Sequence, residues 1–307
     1  MTREEINEKK QKDIFLEHKK EISKKIIKVT IKTILIITII CTLFFSYTTY
    51  ISTTKTSVRE YRIINKKIPN NFNGLKIIQF SDLHYGSTIY KENLSSIKRI
   101  INERKPDIII FTGDLIDNKY KMTKKDNDIL TNTLKQLKST LGKYSIIGDE
   151  DKDDISTIYN QADFTILKNE YDLIYNDNKN PILLIGLSSL ISNQQDINKG
   201  FNYFNQESYN SDIYTITLVH EPDSTDDIIN NYNTDIIMSG HSHNGDIRLP
   251  IIHYPLFKYN GAKKYNQDYY KIKNTELFIS GGLGTNNKTG IRLFCRPSIN
   301  LYRLSNK

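Results

Sequence analysis

An uncharged apolar run near the start of the chain constrains its fold more than any other feature. From Thr33 to Thr54 the sequence reads TILIITIICTLFFSYTTYISTT, without an acidic or basic residue. A helix of about 20 such residues spans the hydrocarbon core of a bilayer. The run lacks a polar stripe and precedes every globular pattern, which argues against a buried core helix. It is longer than the apolar part of a cleavable signal peptide, and no clear small-x-small cleavage site follows Phe45. The sequence therefore predicts a transmembrane signal anchor over residues 33–54. Lys19, Lys20, Lys24, Lys25, Lys28 and Lys32 flank it on one side, and Lys55, Arg59 and Arg62 on the other. This bias favours a cytoplasmic N-terminus. Residues 1–32 are then a basic cytoplasmic segment, and the rest of a single-pass cell-membrane protein lies outside the cytoplasm. Residues 1–25 resemble a polar amphipathic helix, but a solvated charged tail is the simpler expectation.

The net charge of +8 looks like a nucleic-acid signal until it is located. Residues 1–67 hold 15 Lys/Arg and 7 Asp/Glu, whereas residues 68–307 hold 28 of each. The large domain has no basic bias, which disfavours a nucleic-acid partner. Cys41 lies in the apolar run and Cys295 near the C-terminus. Neither a disulfide within the domain nor a zinc–thiolate site is available. Any metal must be held by His and carboxylates.

Residues 55–72 read as a linker or first strand, and 73–307 as the main domain. Strands are expected at 75–80, 107–114, 143–149, 171–175, 182–188, 213–220, 235–241, 276–282 and 298–304. Helices are expected at 90–104 and 124–138. Early strands alternate with helices and later ones crowd together, as in an α/β layered domain with two sheets face to face and helices outside. The polar tract 193–210 reads as a surface excursion.

Several apolar strands run straight into metal-ligand residue types. FSDLHYG supplies Asp82 and His84, two residues apart, and i, i+2 side chains of an extended chain point the same way. FTGDLIDN supplies Asp114 and Asp117, with Gly113 permitting a sharp turn; a cap or turn is the plainer role for Asp117. LVHEPD supplies His220, and MSGHSHNGD supplies His241 and His243. Four of the six histidines thus fall at strand ends, while His18 and His253 do not. Mixed imidazole and carboxylate donors suit first-row metals such as Mn, Fe or Zn.

In order, DLH (82–84), GDLID (113–117), GDED (148–151), His220 and GHSH (240–243) resemble the motifs of the calcineurin-like metallophosphoesterases. HSHNGDIRLP and the closing GGLGTNNKTGIRLFCRPSINLYRL are similar to a bacterial single-span or exported branch. The resemblance covers roughly residues 60–307. It implies a layered α-β-β-α sandwich and a dinuclear site. Asp82, His84 and His243 would bind one divalent cation, and His220, His241 and Asp149 a second. Asp114 would bridge both. Hydroxide generated there would attack a phosphate mono- or diester in line. Anchoring points to lipid or cell-envelope substrates.

One motif departs from the pattern. The family's Gly-Asn-His is Gly148-Asp149-Glu150 here. Asp149 keeps an oxygen ligand. Glu150 replaces the histidine credited with protonating the leaving group or steadying the transition state, and acts as the catalytic acid only if its pKa is raised. Asp153 and Asp154 read as a solvated acidic loop. The runner-up reading is a catalytically weakened metal-binding sensor or envelope-binding module. Arg248 and Arg292 are candidates to meet a substrate anion, with a surface ion pair the plainer expectation for each. GGLGT (281–285) is expected as a tight loop supporting the site, or else an anion-binding turn.

Overall fold

The computed structural model describes residues 2–53, 55–152, 155–207, 209–248, 255–285 and 290–307. Thr54, Asp153, Asp154 and His253 lie outside the described residues. The chain divides into two compact units, Met1–Thr48 and Thr49–Lys307.

In the first unit, α1 (Arg3–Ser46) runs unbroken through the basic head and into the apolar run as far as Ser46. The head is therefore helical, not a loose tail. Thr2 and Glu5 close a capping box at its start. Glu5 and Lys9, Glu8 and Lys12, and Glu21 and Lys25 stand four apart, a spacing that supports an exposed helix. By length and composition the helix is apolar enough to cross a membrane. The hydroxyls of Thr33, Thr38 and Thr42 donate to the carbonyls of Val29, Ile34 and Thr38, so these polar groups are satisfied inside the helix.

The second unit begins with β1 (Ser57–Ile64), β2 (Lys76–Phe80), α2 (Lys91–Glu103), β3 (Ile108–Phe111), α3 (Lys124–Lys135), β4 (Gly142–Ser145), α4 (Ile155–Gln161) and β5 (Thr165–Ile166). It continues with β6 (Glu170–Ile174), β7 (Ile182–Gly186), α5 (Ile197–Gly200), β8 (Thr215–Leu218), α6 (Thr225–Asn231), β9 (Ile236–Ser239), β10 (Tyr269–Ile272), β11 (Thr275–Ile279) and β12 (Ser298–Ser305). One sheet has the order β1-β12-β2-β3-β4-β5, the other β10-β11-β9-β8-β7-β6. In both, the central strands are parallel.

Strand alternation divides the apolar residues between layers. Ile77, Ile108 and Ile110 of the first sheet pack in one core cluster with Ile182, Leu184, Ile216, Leu218 and Met238 of the second. Ile78, Phe80, Ile109 and Phe111 face the other way, onto Leu94, Ile97 and Ile101 of α2 and Leu130 and Leu134 of α3. Leu183, Ile185, Ile237, Leu277 and Ile279 cover the outer face of the second sheet, packed with Phe201 and with Ile228 of α6. Strands buried on both faces read as continuous apolar runs. The result is the expected α-β-β-α sandwich.

Some elements differ from expectation. Of the two readings of residues 55–72, linker or first strand, β1 realises the second, and it pairs in parallel with the C-terminal β12, from Ser57 opposite Ser298 to Ile64 opposite Ser305. The short β5 and β10 and the helices α4 and α6 carried no sequence signal strong enough to single out. The tract 193–210 is not a simple surface excursion: Phe201 and Tyr203 are buried, and the Phe201 ring stacks on Tyr232 at 4.4 Å. Phe201 and Tyr203, with Ile197 and Phe204 packed beside them, hold the segment against the sheet.

Candidate metal centre

The polar residues that follow β2, β3, β4, β8 and β9 converge at one place. His220 Nε2 lies 3.2 Å from Asp114 Oδ2 and 3.1 Å from Asp149 Oδ1. His241 Nδ1 lies 3.0 Å from Asp149 Oδ1. His84 Nε2 lies 3.1 Å from His243 Nε2, and Asp82 Oδ1 lies 3.6 Å from the same His243 atom. Asp114 Oδ2 is 3.7 Å from His84 Nε2, so its carboxylate reaches toward both groups. Within each of the sets Asp82–His84–His243 and Asp114–Asp149–His220–His241, the ligand atoms lie within 4.8 Å of one another.

The side chains do not converge for the reason expected from an extended chain. Asp82, His84, His241 and His243 are not on extended backbone; their φ angles are +48°, +42°, +63° and +46°. Asp114 is also left-handed, at +61°. Non-glycine residues rarely adopt this region, and such strain gathers at functional sites. Tight loops after the strands, not strand pleating, aim these side chains. Gly113 has φ +93°, and a Cβ there would sit 2.6 Å from His220 Nδ1 and 2.8 Å from Gly148 Cα. Glycine lets these two loops touch.

Several residues hold the loops in place. Asp151 Oδ2 accepts from the Asp114 and Gly148 amides at 2.9 and 3.0 Å, and its Oδ1 accepts from Leu115 at 2.9 Å. The Glu150 amide donates to Asp114 Oδ1 at 3.0 Å. The His241 amide donates to Asp82 Oδ1 at 3.0 Å. Gly284 N donates to the Asp82 carbonyl at 2.7 Å, so GGLGT is a supporting loop as expected. Sequence reasoning passed over Asp151, because a third acidic residue in a short loop gives no sign that it binds amides.

The arginines correct the expectation of surface ion pairs. Arg292 is fully buried; its Nη1 donates to the Gly281 carbonyl at 2.7 Å, and its Nη2 lies 3.1 Å from His243 Nδ1. Arg248 donates to the carbonyls of Asn244 and Asn266 at 2.9 and 2.8 Å. Both serve the protein's own backbone. Asp117 is buried and accepts from the Lys119 amide at 3.0 Å, the turn role foreseen for it. A cleft of about 300 Å³ opens beside Asp117 and Glu150, walled by Ile116, Tyr120 and Met122 and flanked by Lys121 and Lys152.

Charge is concentrated in little space. Burial disfavours the protonated His84, but the Glu150, Asp114 and Asp82 carboxylates outweigh it and push its pKa up to about 9. Against burial, Asp114, Asp149 and Asp82 raise His220 well above the ordinary imidazole value. Burial, then the neighbouring His84 and Arg292, hold His243 well below it. Burial lifts Asp114 to about 6, opposed by His220 and His84. Glu150 stays below the usual carboxylate range because His84 outweighs its burial, and Asp149 is lowered by His220 and His241 in the same way.

These residues fit divalent cations. His220 Nε2 and Asp149 Oδ1 are buried and close, yet neither is aligned in a hydrogen bond. Atoms that converge on a common point without bonding to each other are arranged as ligands are. The other nitrogens of two rings are tied to carbonyls: His220 Nδ1 lies 2.7 Å from Thr112 O, and His241 Nε2 lies 2.6 Å from Asn260 O. This fixes the tautomer that presents the free nitrogen to a metal.

Comparison with known proteins agrees with this geometry. The calcineurin-like phosphoesterase profile matches residues 75–245. The uncharacterized metallophosphoesterase YkuE of Bacillus subtilis is 30% identical over 265 residues, covering 85% of this chain and 89% of that protein. The UDP-2,3-diacylglucosamine pyrophosphatase LpxG of Chlamydia muridarum is 24% identical, covering 77% of this chain and 86% of that protein. A transmembrane protein with a metallophosphoesterase domain from Danio rerio is 24% identical, covering 62% of this chain and 45% of that protein.

Proposed function

Because the chain belongs to the calcineurin-like phosphoesterase family of metal-dependent phosphoric ester hydrolases, we propose that it is a membrane-anchored dinuclear phosphoesterase acting on lipid-linked or cell-envelope phosphates. The observation that carries this reading is the pair of ligand sets that meet at Asp114. Asp82, His84 and His243 would hold one cation and His220, His241 and Asp149 the other, with the Asp114 carboxylate close to both sets. When bound, such cations polarise phosphoryl oxygens and lower the pKa of water. Mn, Fe or Zn suits the mixed donors.

The substrate class rests on the apolar helix, which keeps the domain near a bilayer, and on the relatives named as pyrophosphatases of an acylated sugar nucleotide. The cleft beside Glu150, with apolar walls and two lysines, suits an amphiphilic anion. The flanking lysines favour a cytoplasmic N-terminus and an outward domain.

The test uses the full chain in detergent, stripped of metal and reloaded with Mn²⁺, Zn²⁺, Fe²⁺ or Mg²⁺. Aryl phosphate mono- and diesters and a lipid-linked diphosphate are the substrates. Metal-dependent hydrolysis that Asp114→Asn abolishes supports the reading. A wild-type chain that binds two cations and hydrolyses nothing favours a metal-binding sensor instead, a role suggested by Glu150 in place of the family's histidine. A chain that binds no cation overturns both.

A further inference from the structure

The third motif departs from its family at Glu150, and the surroundings of Glu150 indicate what it does instead. A metal-binding imidazole is oriented by a partner on its other nitrogen. Thr112 and Asn260 provide carbonyl partners for His220 and His241. His84 Nδ1 is buried without a hydrogen-bond partner, and Glu150 Oε2 lies 3.3 Å from it. His84 Nε2 meanwhile faces His243 and Asp114. Glu150 is held in place by its own amide, which donates to Asp114 Oδ1 at 3.0 Å, and by the Asn118 amide, which donates to Oε2 at 3.4 Å.

We propose that Glu150 is a positioning residue that orients His84 through Nδ1, and that it is not the proton donor to the leaving group. A small rotation aligns the 3.3 Å contact as an Nδ1–H donation once Nε2 is engaged by a cation. The consequence for substrate rests on the phosphoesterase reading. Water adds to phosphorus and gives up its proton to solvent, the bond to the leaving oxygen breaks, and that oxygen departs with the electron pair without a proton from Glu150. Phosphoanhydrides and aryl esters, whose leaving groups are stable anions, are then preferred over alkyl esters.

The test is a Mn²⁺ titration of the full chain in detergent by equilibrium dialysis, with Glu150→Gln and Glu150→Ala alongside. Two equivalents are expected to bind wild type. Glu150→Ala should weaken one of them by about 10–100-fold, the usual cost of losing an orienting partner. Glu150→Gln keeps an acceptor oxygen and should recover part of that loss. The visible spectrum of the Co²⁺-loaded protein should change at one site. Across aryl phosphates of increasing leaving-group pKa, wild type and Glu150→Gln should show the same steep decline.

Unchanged affinities in Glu150→Ala, with activity lost mainly for poor leaving groups, would make Glu150 the proton donor and overturn the proposal. So would a third equivalent that disappears in Glu150→Gln and Asp117→Asn, since His84, Asp117 and Glu150 would then form a cation site themselves. If wild type hydrolyses nothing, the proposed function fails, while the affinities still decide the role of Glu150.

Discussion

The two halves of the candidate metal centre use the same donor types but differ in access. The side chains of Asp82, His84 and His243 are 0%, 1% and 1% exposed; in the second half His220 is 0% exposed, but Asp149 and His241 are 18% and 10% exposed. The first half is closed from behind by buried Arg292 and the Gly281–Gly284 loop. The second opens toward solvent. The second half is thus the more solvent-exposed at Asp149 and His241, while the cleft beside Glu150 lies on the His84 side of the first.

The largest effect is expected where the two halves depend on one glycine. Gly113→Ala adds a methyl against the His220 ring at a left-handed position, and should cost about 1–3 kcal/mol of stability together with the second cation. Gly74→Ala, also left-handed but with nothing near its Cβ, should cost strain alone and leave both cations bound. Thermal melts and metal stoichiometry read the pair; equal metal loss in both variants would contradict the role given to Gly113.

Protons sharpen the comparison next. His84 titrates near 9 before a cation binds, so a cation must displace its proton below that pH. Apparent affinity should rise from about pH 6 to 9, by up to about tenfold per unit for each proton displaced. In the absence of metal the sign reverses for stability: the contribution of His84 is full below its ordinary value and fades as pH rises through about 9. Affinity titrations and melts across this range check both trends, and a flat affinity profile would contradict the assignment of His84 as a ligand.

Difference in access predicts that a chelator removes one equivalent faster than the other. Stopped-flow release with two equal rates would break the distinction between the halves. The smallest effect is expected from Asp149→Asn, which keeps an oxygen donor but removes its charge. It should weaken the second half by about tenfold and leave the first unchanged, as read by the same dialysis.

Much of this was legible along the chain. Apolar runs buried on both faces marked the central strands, and Asp or His immediately after them marked the site. The weak signals were short or nonlocal. β5 has two residues, and β1 is recognisable mainly through its pairing with β12 far along the chain. Arg292 read as a surface residue because nothing local shows that the Gly281–Gly284 loop wraps around it. Asp151 gave no sign that it would bind the amides of two separate loops.

Local order and composition determined the apolar helix, the layered class of the domain and the residue types at its strand ends, because hydrophobic period and turn chemistry act over a few residues. The tertiary structure alone decided which atoms meet. It set the left-handed loops that aim Asp82, His84, Asp114, His241 and His243, the contact of Gly113 with His220, and the placing of Glu150 beside His84. Those depend on loops brought together from distant parts of the chain, whose geometry is imposed by packing and not by any one segment.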